Sequence, residues 1–223
     1  MAADRGKVKK YITLSLLIVG LPLSFLLLFG KAFTHNFETL PYFSAEHPTG
    51  SKEPVGFSIP SFTFRNQNGE EFHSDSLKGK VWLASFFSLG DPYLKDLTAQ
   101  LKSVSWKYRD QPDVYIICFS TNPALDSTMD VQHYVNEKTM YHEYPGKWQF
   151  LLGDRDSIRT YIRDAFLIED VTNSADLILV DDEGRLRGKY TARSELNVSA
   201  AMEDIAMLKK EADLKAYERK KGK

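Results

Sequence analysis

The stretch "VWLASFFSLGDPYLKDLTAQL", residues 81–101, constrains the fold more than any other part of the chain. Its first seven residues carry no charge, which suits a strand covered on both faces rather than one with a wet side. Residues 88–90 then break the run. Asp91 is a good N-cap, and Pro92 at a first helical position loses no hydrogen bond. Leu94, Leu97, Leu101, Val104 and Tyr108 recur at helical spacing, and a second apolar strand, "VYIICF", follows. This is a strand–helix–strand unit, so the sheet it builds is at least partly parallel.

The same alternation continues. Val131, Tyr134 and Val135 mark a second helix, "KWQFLLGD" a third strand, and Ile158, Tyr161, Ile162 and Ala165 the inward face of a third helix. "ADLILVDDEGRLRGKYT" reads as strand, turn and strand, with Asp181, Asp182 and Glu183 as turn formers rather than a metal site. A last helix carries Val198, Met202, Ile205 and Leu208. Ahead of all this, "SIPSFTFRNQNGEEFH" predicts a hairpin, with Asn68-Gly69 at the centre of a type I′ turn. Parallel units closing on an antiparallel pair give an α/β domain: a central mixed sheet flanked by helices, with an N-terminal β-hairpin extension.

The N-terminus has a different character. "MAADRGKVKK" is basic, and residues 11–30, "YITLSLLIVGLPLSFLLLFG", carry no charge. About 20 apolar residues span a hydrocarbon core of about 30 Å. Pro22 is tolerable in a membrane helix. The basic flank predicts a cytoplasmic N-terminus and an exported remainder. The rival reading, a cleaved signal peptide, fits "LLLFGKAF" poorly, because no small-residue cleavage site follows the apolar run. The expected organisation is a cytoplasmic segment at 1–10, one transmembrane anchor at 11–30, a tether at 31–56, the α/β domain at 57–215 and a basic tail at 216–223. The chain is then a single-pass inner-membrane protein with a periplasmic domain. Phe33, Phe37, Tyr42 and Phe43 load the tether with more aromatic surface than a free linker carries, so part of it should lie along the domain.

A formal net charge of -1 offers no basic face of the kind that binds nucleic acid. The one cysteine, Cys118, excludes an intrachain disulfide and a dithiol redox cycle within the chain. It sits inside "VYIICF" and should be a packed core thiol, inert for want of an electropositive setting.

Taken together, "HNFETLPYF" after the anchor, "IPSFTFRNQNGEEF", "LKGKVWLASFF", "STNPALDST", "KWQFLLGD" and "LILVDDEGRLRGKY" resemble the Sco/SenC family over nearly the whole chain. These are membrane-anchored copper proteins of thioredoxin-like fold that assist assembly of the copper centre of cytochrome c oxidase. The resemblance implies a site of two cysteines, spaced C-P-x-x-C on the loop and first helical turn, and a histidine before a late strand. Thiolates and imidazole suit copper in both oxidation states. Matching "DLTAQL" to the family helix puts Gly90 and Leu94 at the cysteine positions. Aligning the proline instead gives Asp91 and Lys95. Asn173 is the nearest match to the histidine. Neither register supplies sulfur, and Gly90, Leu94 and Asn173 cannot rebuild a soft-metal site.

A substitute site is conceivable from Met129, His133, Met140 and His142, with Met140 and His142 as its weak candidate ligands. The expectation remains an exposed helix face and a loop that need not converge. His35, His47 and His73 are scattered and have no assigned role. The sequence therefore predicts no cofactor, no catalytic residue and no nucleic acid. It predicts a membrane-tethered, non-redox binding or assembly factor with a protein partner. A copper chaperone using Met and His ligands is the alternative, and a thiol-disulfide oxidoreductase the weaker one.

Overall fold

The computed structural model describes residues 39–54, 56–139, 146–171 and 175–222, together with residues 10, 15, 18–20 and 24. The chain divides into two units, Met1–Glu38 and Thr39–Lys223. In the first, the described residues are helical. The expected anchor at 11–30 lies mostly outside the described residues, and among those described no helix is long and apolar enough to cross a membrane.

The second unit is built on a five-stranded sheet. Its strands are β3 (Val81–Phe87), β4 (Val114–Ser120), β5 (Trp148–Leu151), β6 (Asp176–Val180) and β7 (Leu186–Thr191), and their spatial order is β5-β4-β3-β6-β7. β3, β4 and β5 run parallel, while β6 and β7 run antiparallel to their neighbours. This is the mixed sheet that the strand–helix alternation predicts. All seven residues of β3 are buried, as its apolar run requires.

The helices are α1 (Leu94–Lys107), α2 (Thr128–Lys138), α3 (Arg155–Phe166) and α4 (Glu195–Lys221). Leu94, Leu97, Leu101 and Val104 of α1, Val131 and Val135 of α2, and Val198, Ile205 and Leu208 of α4 cover one sheet face. Ile158, Ile162, Ala165 and Phe166 of α3 cover the other, beside Phe62 and Trp82. Each valine, leucine, isoleucine or phenylalanine among these contributes about 1.5–3 kcal/mol on burial, so this two-sided packing holds the β3–α1 junction in place. Lys147 adds a clamp: its ammonium donates to the carbonyls of Arg109 (2.7 Å) and Gln111 (2.5 Å), just past the end of α1.

The N-terminal hairpin pairs β1 (Thr63–Arg65) with β2 (Glu71–His73), but its turn is not type I′. Gly69 has φ +79°, whereas Asn68 is not among the residues with positive φ. The Asn66 side chain organises the loop instead, Oδ1 accepting from the backbone N–H groups of Asn68 and Glu70. A turn followed by a left-handed glycine is the longer hairpin connection, which needs positive φ at one position only. The hairpin also covers the β5 edge. Arg65 and Leu152 exchange backbone hydrogen bonds, and Gln67 Oε1 accepts from Phe150 N at 2.9 Å. An edge covered in this way is no template for another strand.

The second half of the expected tether is part of the domain. Tyr42 is buried and bridges Ser51, and Phe43 bridges Leu186 on β7. Arg187, 1% exposed, fixes this segment. Its guanidinium lies 4.0 Å over the Tyr42 ring, donates to the carbonyl of Leu40 at 2.8 Å, and pairs with Asp181 and Glu211, each at 3.1 Å. At the far end, residues read as a basic tail continue α4 through Lys221, with Lys215 and Arg219 each 3.5 Å from Glu183.

Candidate functional site

The loop between β3 and α1 is short and braced from below. Ser88 is buried, and Gly90 N donates to Ser88 Oγ at 3.3 Å and Asp91 N to Ser88 O at 3.0 Å. The main support is Asp126, 3% exposed, on the segment between β4 and α2. Its carboxylate accepts from Leu89 N at 2.7 Å, Ser88 Oγ at 3.3 Å and Ser120 Oγ at 2.5 Å. Burial pushes the Asp126 carboxyl above the usual carboxylate range, and these donors pull it back. Sequence reasoning missed Asp126. The available signal was an acid beside "NPAL", ahead of the Ser127 cap of α2.

Asp91 does not cap α1 directly. The regular helix starts at Leu94, and the residue before it, Tyr93, makes no side-chain cap. Asp91 caps the leading turn: its Oδ1 accepts from Tyr93 N at 2.7 Å and its carbonyl from Leu94 N at 3.0 Å. Pro92 tightens that turn because its φ is already set. Tyr93 then ties the loop to the far side of the sheet, its hydroxyl donating to the Ala192 carbonyl with the Arg193 guanidinium 4.5 Å over its ring.

The positions matched to the family ligands separate in this structure. Gly90 is exposed at the tip of the loop, while Leu94 is 5% exposed and packed into the core under α1. Asn173 lies outside the described residues. Glycine and leucine carry no donor atom, and the alternative register offers a carboxylate engaged in the turn at Asp91 and an ammonium at Lys95. Among the described residues, no group of three or more His, Cys, Asp or Glu side chains could hold a metal ion. The donor set on this loop therefore does not fit copper.

Cys118 is 1% exposed on β4, beside Trp148, whose Nε1 donates to Sγ at 3.1 Å. Burial pushes the thiol up to about 12, so it has almost no thiolate at neutral pH and no access to an oxidant. The expected core thiol is what the structure contains. Met129 and His133 are exposed on α2, one turn apart, and His133 Nε2 lies 3.3 Å from Glu137. Met140 and His142, like His35, lie outside the described residues. His47 sits 3.3 Å from Ser44 Oγ and His73 2.9 Å from Thr63 Oγ1.

The surface near the loop tip includes exposed apolar side chains. Leu125 is 54% exposed and Met129 78% exposed, and a Cβ built on Gly90 would meet Leu125 Cδ1 at 2.8 Å. Beside them a groove of 560 Å³ runs between α1 and α2, with Leu89, Pro92 and Tyr134 among its walls. The loop is thus braced from below by Asp126 and presents an exposed tip at Gly90.

No family model matches the chain. The SCO1 protein homolog of Bacillus subtilis (strain 168) is 27% identical over 150 residues, covering 62% of this chain and 76% of that protein. A SCO1/SenC family lipoprotein from Bacillus anthracis str. Ames is 25% identical with a TM-score of 0.60, over 70% of this chain and 97% of that one. The fold is also that of BsSco, a member of the Sco family of cytochrome c oxidase assembly proteins in which a disulfide switch was identified. The TM-score there is 0.56 at 24% identity, over 69% of this chain and 94% of that one. Sequence and architecture thus agree, and together they support placing this chain with the Sco/SenC family.

Proposed function

We propose that this chain is a non-redox binding or assembly factor for a respiratory oxidase, acting by protein contact through the surface around the β3–α1 loop. Residues 11–30 tether it to the inner membrane with the α/β domain on the periplasmic side. One observation carries the reading: the loop is kept in place by Asp126 and Tyr93 while its exposed tip is Gly90 and the chain's one thiol is sealed in the core. A disulfide switch of the BsSco kind needs two reachable sulfurs, and this chain has one that is unreachable. Fold alone does not decide activity. The argument therefore rests on the chemistry of the loop residues and on the relatives' association with oxidase assembly.

Cells lacking the gene, complemented with Cys118→Ala, should show the same cytochrome c oxidase activity as cells carrying the wild-type gene. Loss of activity with the variant present at wild-type level would give the thiol a role and defeat the non-redox reading. Oxidase activity that never depended on the chain at all would defeat the assignment to oxidase assembly.

A further inference from the structure

We infer that the groove between α1 and α2 docks an extended acidic segment of a protein partner, with an apolar side chain set midway between two carboxylates four residues apart. The inference rests on the reading of this chain as a contact factor and adds the chemistry of what it contacts.

The groove's floor is apolar, with buried Leu94 beside Leu89 and the ring of Tyr134, while Ala99 lies exposed on the α1 rim. Its polar groups already satisfy one another, the Thr98 and Tyr134 hydroxyls lying 2.6 Å apart and Thr98 Oγ1 donating to the Leu94 carbonyl. The floor therefore asks a ligand for apolar surface and no hydrogen bond. The rims are cationic: Lys95 and Lys102 on α1, Lys138 on α2. Among the described residues no carboxylate lies within ion-pair distance of Lys95 or Lys102. Lys138 has only an exposed pair with Glu137 at 3.4 Å, of a kind that holds little energy. Asp91 is the one acid on the lining, and its Oδ1 is occupied by Tyr93 N. An apolar floor between positive rims complements an apolar anchor flanked by negative charge.

Spacing refines the match. Lys95 and Lys102 are seven residues apart on one helix, about 10 Å at 1.5 Å per residue. An extended chain rises about 3.3 Å per residue and sets alternate side chains on one face, so carboxylates four residues apart, about 13 Å, share a face and meet two lysines whose long side chains can splay. The side chain between them falls over Ala99, the smallest residue of that rim. A flat anionic bilayer would meet the lysines but leave the recessed floor empty, which favours a protein segment.

The probe is a fluorescent heptapeptide, Gly-Glu-Ser-Phe-Ser-Glu-Gly, titrated with the full-length chain in neutral detergent and compared with the same peptide carrying lysine for each glutamate. The acidic peptide should bind saturably and the basic one should not. The double variant Lys95→Glu with Lys102→Glu should weaken the acidic peptide at least tenfold and confer binding of the basic one. Ala99→Trp, which crowds the rim over the apolar floor and leaves the charges, should weaken the acidic peptide by a similar factor. Circular dichroism checks that the variants fold, as expected where no position is buried and Lys95→Glu places an acid at a helix N-terminus. Equal binding of the two peptides, no saturation, or indifference to the variants would overturn the proposal. So would variant-sensitive binding to phosphatidylglycerol vesicles with none to the peptide. The readout needs no oxidase, so its failure and the failure of the oxidase reading are separable.

Discussion

The triple variant Gly90→Cys, Leu94→Cys, Asn173→His should retain one copper ion per chain against a chelator that strips the wild-type protein. The loop is prepared for the first change. Gly90 is not among the glycines with positive φ, so a side chain there meets no backbone penalty. A Cβ meets Leu125 Cδ1 at 2.8 Å, the tip of an exposed side chain free to turn away, and Ser88 Oγ at an ordinary 3.8 Å. Leu94 opens α1, where the helix dipole favours a thiolate. Its replacement removes buried volume and should cost about 2 kcal/mol, which a domain with this core can bear. The imidazole comes from a position matched by resemblance alone. A folded triple variant that binds no copper would mean that the sulfurs do not converge. Asp91→Cys with Lys95→Cys would then show whether the proline-aligned register is the correct one.

Arg187→Met should lower stability by about 3 kcal/mol, read as a shift in the urea unfolding midpoint. Arg187 and Asp181 are each 1% exposed, and removing the cation leaves a buried carboxylate short of a partner. Arg185, 2.9 Å from the same Asp181 oxygen, limits the loss. The change also strips the Leu40 and Pro41 carbonyls of their donor and Tyr42 of its cation. Protease cleavage within residues 39–54 should therefore accelerate more than cleavage elsewhere. Glu211→Gln should cost less, because its side chain is 18% exposed and its charge can turn to water. A wild-type midpoint for Arg187→Met would show that the buried network contributes nothing net.

The sequence made most of the domain legible because its signals are local. The apolar run at 81–87 and the stripe through Leu94, Leu97, Leu101 and Val104 need only neighbours a few residues away to be read, and both sit as expected. The missing sulfur was equally plain, since a cysteine is either in the loop or not. Features that depend on distant partners stayed hidden. Asp126 looks like any loop acid until Leu89 and Ser120 are brought to it. Arg187 looks like a solvated strand residue until Tyr42, 145 positions earlier, is laid beneath it. The Asn68-Gly69 reading failed for a related reason. The pair suits a type I′ turn by propensity, but Asn66 offered its amide oxygen to two backbone donors and drew the loop into another geometry.

The reading of this chain as a contact factor is tested most directly by its affinity for copper. The full-length protein, loaded with Cu(I) and separately with Cu(II), would be challenged with a strong chelator and its residual metal counted. The expected result is no stoichiometric copper in either oxidation state, for the β3–α1 loop presents no donor set a soft ion would take. One copper per chain surviving the competitor would contradict the account. Loss of that copper on replacing Met140 and His142 would then identify the ligands that took over from the missing cysteines.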